Sequence, residues 1–227
     1  MRKIVLMSSV SLDGFIEGPN KEIDWHRVDA ELHQHFNDEV RGFGALLSGR
    51  VTHELMAAYW PTADKDPQSS PEEVEFARIW RNMPKVVFSR TLQHAEWHTT
   101  VVREVVPEEI RALKEQSGGD LALSGADLAA EFLRHDLVDE IRVYVHPVLI
   151  GRGKPLFAES DAPTDLRLIE TRRFGNGVVL LRYERDRTAD TSDATDTSDA
   201  TGNADVTGKA DATEATGSAD TAGTHDA

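Results

Sequence analysis

Three short segments carry residue types that handle phosphate: Ser48-Gly49-Arg50-Val51-Thr52, Ser89-Arg90-Thr91 and Ser124-Gly125-Ala126. Each follows a short apolar run, where a strand gives way to a turn or a helix. Glycine lets backbone approach a ligand closely, the free N–H groups of a helix start face an anion, and arginine offers a fork of donors that fits phosphate. One such turn means little. Three in one domain, two with an arginine directly after the strand, point to a nucleotide with more than one phosphate group. Neither a Gly-x-Gly-x-x-Gly fingerprint nor a Walker loop is present.

Acid–base chemistry has several candidates. Asp13 precedes Gly14 and suits either catalysis or an ordinary turn anchor. Asp29 and His33 fall on a predicted helix that also carries Glu31, His35 and Asp38. His33 and His35 are two apart and point to different helix faces, so no metal site is expected there. Trp25 and Trp60 are flat aromatics, suited to walling a heteroaromatic substrate or to an amphipathic core position.

The elements that must position these residues follow from periodicity. Lys3 to Val10 reads as a buried strand ending at the Asp13-Gly14 turn. Val28, Leu32, Phe36, Val40 and Phe43 recur at helical spacing, and Ala45 to Ser48 is a second strand followed by a helix with Val51, Leu55 and Met56. Pro61 to Ser70 reads as a polar loop. Ser70-Pro71-Glu72-Glu73 opens a helix through Trp80, with an N-cap, proline at the first position and acids in the first turn. Strands are expected at Lys85 to Ser89 and at Thr99 to Glu104, and a helix from Pro107 to the Gly118-Gly119 pair. Residues 120–133 read as strand, small-residue turn and helix. A long strand, Val138 to Ile150, is interrupted near Pro147. Leu166 to Phe174 and Val178 to Arg185 flank a Gly-Asn-Gly hairpin signal. Alternating strands and helices with a terminal hairpin imply an α/β fold: a mixed, mostly parallel sheet, helices on both faces and an antiparallel C-terminal hairpin.

Composition sets the limits. From Thr188 onward the chain is Thr, Ala, Asp, Ser and Gly with few exceptions, and nine acids stand there against Lys209, about half of the net charge of −15. The expected organisation is therefore one domain at 1–187 and a disordered acidic tail at 188–227. The domain's acidity argues against a nucleic-acid surface. Zero cysteines exclude disulfides, thiolate metal sites and a cysteine nucleophile. The apolar run Ile4 to Met7 is too short for a signal sequence or a membrane span, which points to a cytoplasmic protein.

Taken in order, VSLDGFIEGP, LLSGRVTHELM, VVFSRTL, GGDLALSGADLAAEFL and VDEIRVYVHPVLIGRGKPLF resemble the dihydrofolate-reductase-like superfamily. The closer likeness is to the branch holding the reductase domain of bacterial riboflavin biosynthesis, and it spans Met1 to about Arg185. It implies NADPH as reductant, with Gly49, Arg50 and Thr52 at the pyrophosphate and toward the adenosine end, and Ser89 and Arg90 by the ribose 2′-phosphate. Ser124, Gly125, Ala126, Asp127 and Leu128 would form a second phosphate turn. Leu12 to Ile16 match a mobile loop over the nicotinamide, with Ile16 nearest the ring. Relatives commonly have two glycines where this chain has Ser124-Gly125, and true dihydrofolate reductases have a cis peptide there.

The implied activity is reduction of a small pterin-like or pyrimidinone substrate, 5-amino-6-(5-phosphoribosylamino)uracil included, by a homodimer. The deaminase half of bifunctional riboflavin enzymes is missing, together with the cysteines of its zinc site. Two other readings stay open: a dinucleotide-binding module without turnover, and a broad-specificity carbonyl or imine reductase.

Overall fold

The computed structural model describes residues 1–160 and 162–187; the expected acidic tail lies outside them. Eight strands form one sheet: β1 (Ile4–Ser11), β3 (Ala45–Gly49), β4 (Lys85–Phe88), β5 (Thr99–Val102), β6 (Leu121–Ser124), β7 (Glu140–His146), β9 (Leu166–Arg173) and β10 (Val179–Arg185). Their order is β5-β4-β3-β6-β1-β7-β10-β9. The six from β5 to β7 run parallel, and β10 is antiparallel to both β7 and β9. Two further strands, β2 (Phe15–Glu17) and β8 (Lys154–Pro155), pair apart from it. The helices are α1 (Ala30–Arg41), α2 (Arg50–Tyr59), α3 (Pro71–Asn82), α4 (Pro107–Glu115) and α5 (Ala126–Arg134).

Strand alternation sorts the side chains onto two faces. Ile4, Leu6, Leu47, Leu121, Leu123, Ile141 and Val143 pack with Ile110 of α4 and with Leu128, Ala129 and Phe132 of α5. The intervening positions face α1 and α3: Leu32 meets Tyr144, Phe174 and Leu180, while Val40 meets Phe76 and Trp80. Each fully buried Leu or Phe contributes roughly 2 kcal/mol through apolar burial. The helices thus cover both faces, as the alternating pattern implies.

Helix starts follow local chemistry. Asp29 caps α1 by accepting from the Leu32 amide at 3.0 Å. Ser70 and Glu73 form a reciprocal capping box at α3.

Three sequence expectations change. Pro61 to Ser70 is not all loop, because Trp60–Lys65 forms a 3₁₀ helix. Pro61 is pre-set for a helical first turn, and Arg81 of α3 grips both Asp64 oxygens at 2.7 and 2.6 Å and the Pro61 carbonyl at 2.9 Å. The strand expected to reach Ile150 stops at His146, before Pro147. The β2–β8 pair escaped notice because two- and three-residue strands hold no periodic signal.

Arg81→Ala should lower the unfolding free energy by about 2 kcal/mol, the scale of charge-assisted hydrogen bonds, and Arg81→Lys should recover only part because the fork is lost. Urea denaturation measures both. An unchanged midpoint for the alanine variant would show that the clamp contributes nothing.

Candidate active site

Parallel pairing sets Ser48 of β3 opposite Ser124 of β6. The helices that follow, α2 and α5, therefore start side by side at the same sheet edge. Neither has a side-chain cap, and their N-cap residues are Gly49 and Gly125, so the first-turn N–H groups keep their capacity for an anion. Gly125 has φ +93°, and a Cβ there would lie 2.9 Å from the Thr52 hydroxyl. Both the backbone and the neighbouring turn demand glycine. At Gly49 a Cβ would meet nothing within 4 Å, which leaves space in front of the α2 start.

From this edge a cleft of about 890 Å³ runs between the sheet and α1, α2 and α3. Its floor is one face of the strands: Met7, Ser9, Leu46, Ser48, Ala122, Ser124 and Tyr144. Phe36, Trp60, Phe76 and Trp80 supply aromatic walls, and Ile16 and Glu17 come from β2. Trp60 meets Phe76 edge-on at 4.4 Å, and His33 at 5.8 Å.

The expected site residues divide accordingly. Ile16, Asp29, His33, Thr52, Trp60, Ser124 and Gly125 line the cleft. Arg50 does not: exposed, it turns along α2 to Glu54 at 2.8 Å. Ser89 is buried, and its hydroxyl accepts the amides of Thr91 and Leu92, so it shapes the turn instead of facing a ligand. That turn presents Arg90, which is exposed and has no ion-pair partner among the described residues. Ala126 and Leu128 are buried, Leu128 in the main core, and Asp127 points outward to Lys154 at 2.6 Å.

Asp13 is an anchor, accepting from the Gly151 amide at 2.7 Å and the Ile150 amide at 3.3 Å. Trp25 donates to the Glu22 carbonyl and sets its ring edge-on to His26 and His146, away from the cleft. The Leu12 to Ile16 loop is stitched by Asp13 and by β2–β8 to residues 150–155. No cis peptide occurs among the described residues.

The family model for the RibD C-terminal domain matches residues 2–180. The chain belongs to this family. Among relatives of the RibD C-terminal domain type, the uncharacterized protein YyaP of Bacillus subtilis is 37% identical over 183 residues, covering 80% of this chain and 94% of that protein. A diaminohydroxyphosphoribosylaminopyrimidine deaminase/5-amino-6-(5-phosphoribosylamino)uracil reductase of Thermotoga maritima superposes with a TM-score of 0.57 at 16% identity, over 82% of this chain and 57% of that one. Dihydrofolate reductase of Enterococcus faecalis, complexed with NADP(H), gives 0.55 at 16% identity, over 81% and 96%. This RibD C-terminal domain shares its fold with both of these proteins.

Several cleft residues went unnoticed in the sequence. Ser8 and Ser9 interrupt an otherwise apolar buried strand, a signal that the strand faces a cavity there. His53 and Met56 share a helical face with Thr52, recoverable from the i, i+1, i+4 spacing. Among the described residues no helix is long and apolar enough to cross a membrane.

Histidines dominate the titration of the site. Burial pulls His26, His33 and His53 below the ordinary imidazole value, although Glu73, Glu72 and Glu75 pull His33 the other way. His146 is fully buried, accepts the Arg27 amide at Nδ1 (2.9 Å) and stacks on His26 at 5.1 Å. Burial, reinforced by His26 and Arg27, lowers it to about 4 from 6.5. Below the unfolded value of 6.5 the unfolded chain binds a proton that the folded chain refuses. His146 therefore costs stability progressively from pH 6.5 down to about 4, on the order of 3 kcal/mol in total. His146→Asn, which retains an acceptor for Arg27, should flatten the acid limb of a stability-against-pH curve; an equally steep limb would assign it to other groups.

Proposed function

We propose that this protein is an NADPH-dependent reductase of a small pterin-like or pyrimidinone compound. The reading rests above all on two uncapped helix starts placed side by side at the mouth of an aromatic-walled cleft, with Arg90, which has no ion-pair partner among the described residues, just beyond the end of the adjacent strand. NADP(H) in the Enterococcus dihydrofolate reductase, which shares the fold, supports the choice of cofactor.

The residues fit such a dinucleotide. Gly49 and the first-turn amides of α2, Thr52 and the Ser124-Gly125 turn hold the pyrophosphate. Arg50 joins them once it leaves Glu54, an exposed pair worth well under about 1 kcal/mol. Arg90 takes the 2′-phosphate, and Ile16 borders the nicotinamide. When bound, NADPH supplies a hydride, which the carbon of a C=N or C=O bond accepts. Asp29, the N-cap of α1, and His33 on α1 are titratable groups that line the cleft, and one of the two would pass the single balancing proton to the nitrogen or oxygen. Trp60 holds the substrate ring flat, and the apolar walls limit water near the reacting carbon.

We also propose a homodimer that pairs through the sheet. Edge strand β9 is exposed throughout, with Leu166, Leu168 and Ile169 on its surface. Light scattering of the full chain at micromolar concentration should give twice the chain mass; a monomer throughout removes the pairing.

The decisive test of the cofactor is titration of the full chain with NADPH and NADH, followed by nicotinamide fluorescence. NADPH should bind tighter, and Arg90→Ala should narrow the gap by roughly 10- to 100-fold, the value of one charged contact to phosphate. An unchanged ratio rejects Arg90 as the 2′-phosphate contact, and failure of either nucleotide to bind rejects the cofactor assignment.

A further inference from the structure

The charge of the cleft differs from that of its mouth. Lining the cleft are four acids, Glu17, Asp29, Glu72 and Glu73, and a single lysine, Lys85. Lys85 is not free to meet an anion. It is buried, and its ammonium donates to the carbonyls of Trp80, Met83 and Trp97 while lying over the Trp80 ring at 4.1 Å. All three of its N–H bonds are thereby used. His26, His33 and His53 are held toward the neutral form by burial. The arginines suited to phosphate, Arg50 and Arg90, stand outside the lining.

Glu73 is fixed by the Tyr59 hydroxyl at 2.9 Å and the Ser70 amide at 2.8 Å. The Glu72 carboxylate has no hydrogen bond or ion pair among the described residues. Both flank His33, which faces Trp60 and Phe76. Away from Thr52 and the Ser124-Gly125 turn, the negatively lined, aromatic-walled part of the cleft repels phosphate and carboxylate and favours flat rings that are neutral or cationic, through stacking and cation–π attraction.

We infer that the substrate is a planar heteroaromatic compound, uncharged or cationic, that carries no phosphate. This rests on the reductase reading above and narrows it: a phosphoribosylated pyrimidinone does not suit the lining, whereas the unphosphorylated ring does.

The test uses one ring in three charge states, 1-naphthylmethylamine, 1-naphthalenemethanol and 1-naphthyl phosphate. Each is titrated calorimetrically into the full chain, with and without saturating NADPH. The amine and the alcohol should bind at least roughly tenfold tighter than the phosphate, and added salt should weaken the amine selectively. Glu72→Lys should narrow the gap between amine and phosphate by a similar factor, with the melting temperature showing that the variant is folded; the salt series on the unaltered protein decides the matter even if it is not. With the helix starts occupied by saturating NADPH, phosphate binding as tightly as the amine overturns the inference, and so does failure of all three to bind. Because NADPH is titrated separately, loss of cofactor binding would overturn the reductase reading while the charge series still reports on the cleft.

Discussion

The parallel pairing of β3 with β6 is the constraint on which the site depends. Strands about 4.8 Å apart that run the same way deliver their following helices to one edge, close enough to share one anion. Ser48 opposite Ser124 fixes that register. The left-handed Gly125 then keeps the second turn against Thr52 without a collision. A one-residue slip would point every side chain of β6 to the other face, burying Ser124 in the α4/α5 core and turning Leu123 toward the cleft. Thus the paired helix starts and the cleft floor share one structural cause, the register of two four- and five-residue strands.

Charge is distributed to match. Backbone donors gather at the mouth, where two helix starts stand, and Arg90 follows the end of the strand next to β3. The interior carries carboxylates, desolvated histidines and one saturated lysine. Charged groups elsewhere are paired where they are buried: Glu140 is held by Arg142 and Arg182 at 2.6 Å each, and Lys114 meets Asp139 at 2.7 Å. Such pairs break even at best against apolar packing, so their presence fixes strand and helix positions more than it adds stability. Arg90 and the Glu72 carboxylate stand apart, with no ion pair or side-chain hydrogen bond among the described residues.

Much of this was legible in the sequence, for identifiable reasons. Every long element has a period or a cap: the i, i+4 apolar series of α1, the Ser70 box of α3, the Gly-Asn-Gly turn before β10. The α/β order followed, and with it the carboxyl ends of β3, β4 and β6, at or just beyond which Gly49, Arg90 and Gly125 stand. What could not be read was the use to which a side chain is put. Ser89 and Asp13 are of the right type for a site, yet a local amide pair and a distant loop respectively claim them. Those competitors depend on rotamers and tertiary contact. Ser8 and Ser9 show the reverse case, where polar residues in a buried strand signal a cavity without any motif.

Contacts between distant loops show how the wall of the cleft is set. Ile16 and Glu17 sit on a segment that short-range pattern suggests is independent. Yet the Leu12 amide donates to the Val148 carbonyl and the Leu156 amide to the Gly14 carbonyl, at 2.8 and 3.0 Å. Gly153 lies so near the Glu17 carbonyl that a Cβ would stand 2.0 Å from it. Gly14 and Gly151 both take positive φ beside the Asp13 anchor. The two segments are one double loop, and Ile16 cannot shift without residues 148–156 shifting too. That second segment leaves β7 directly after the buried His146, so the position of the wall is tied to the end of a central strand. The resemblance implied a mobile cover at residues 12–16; the hydrogen bonds make it one half of a paired unit whose other half is rooted in the sheet.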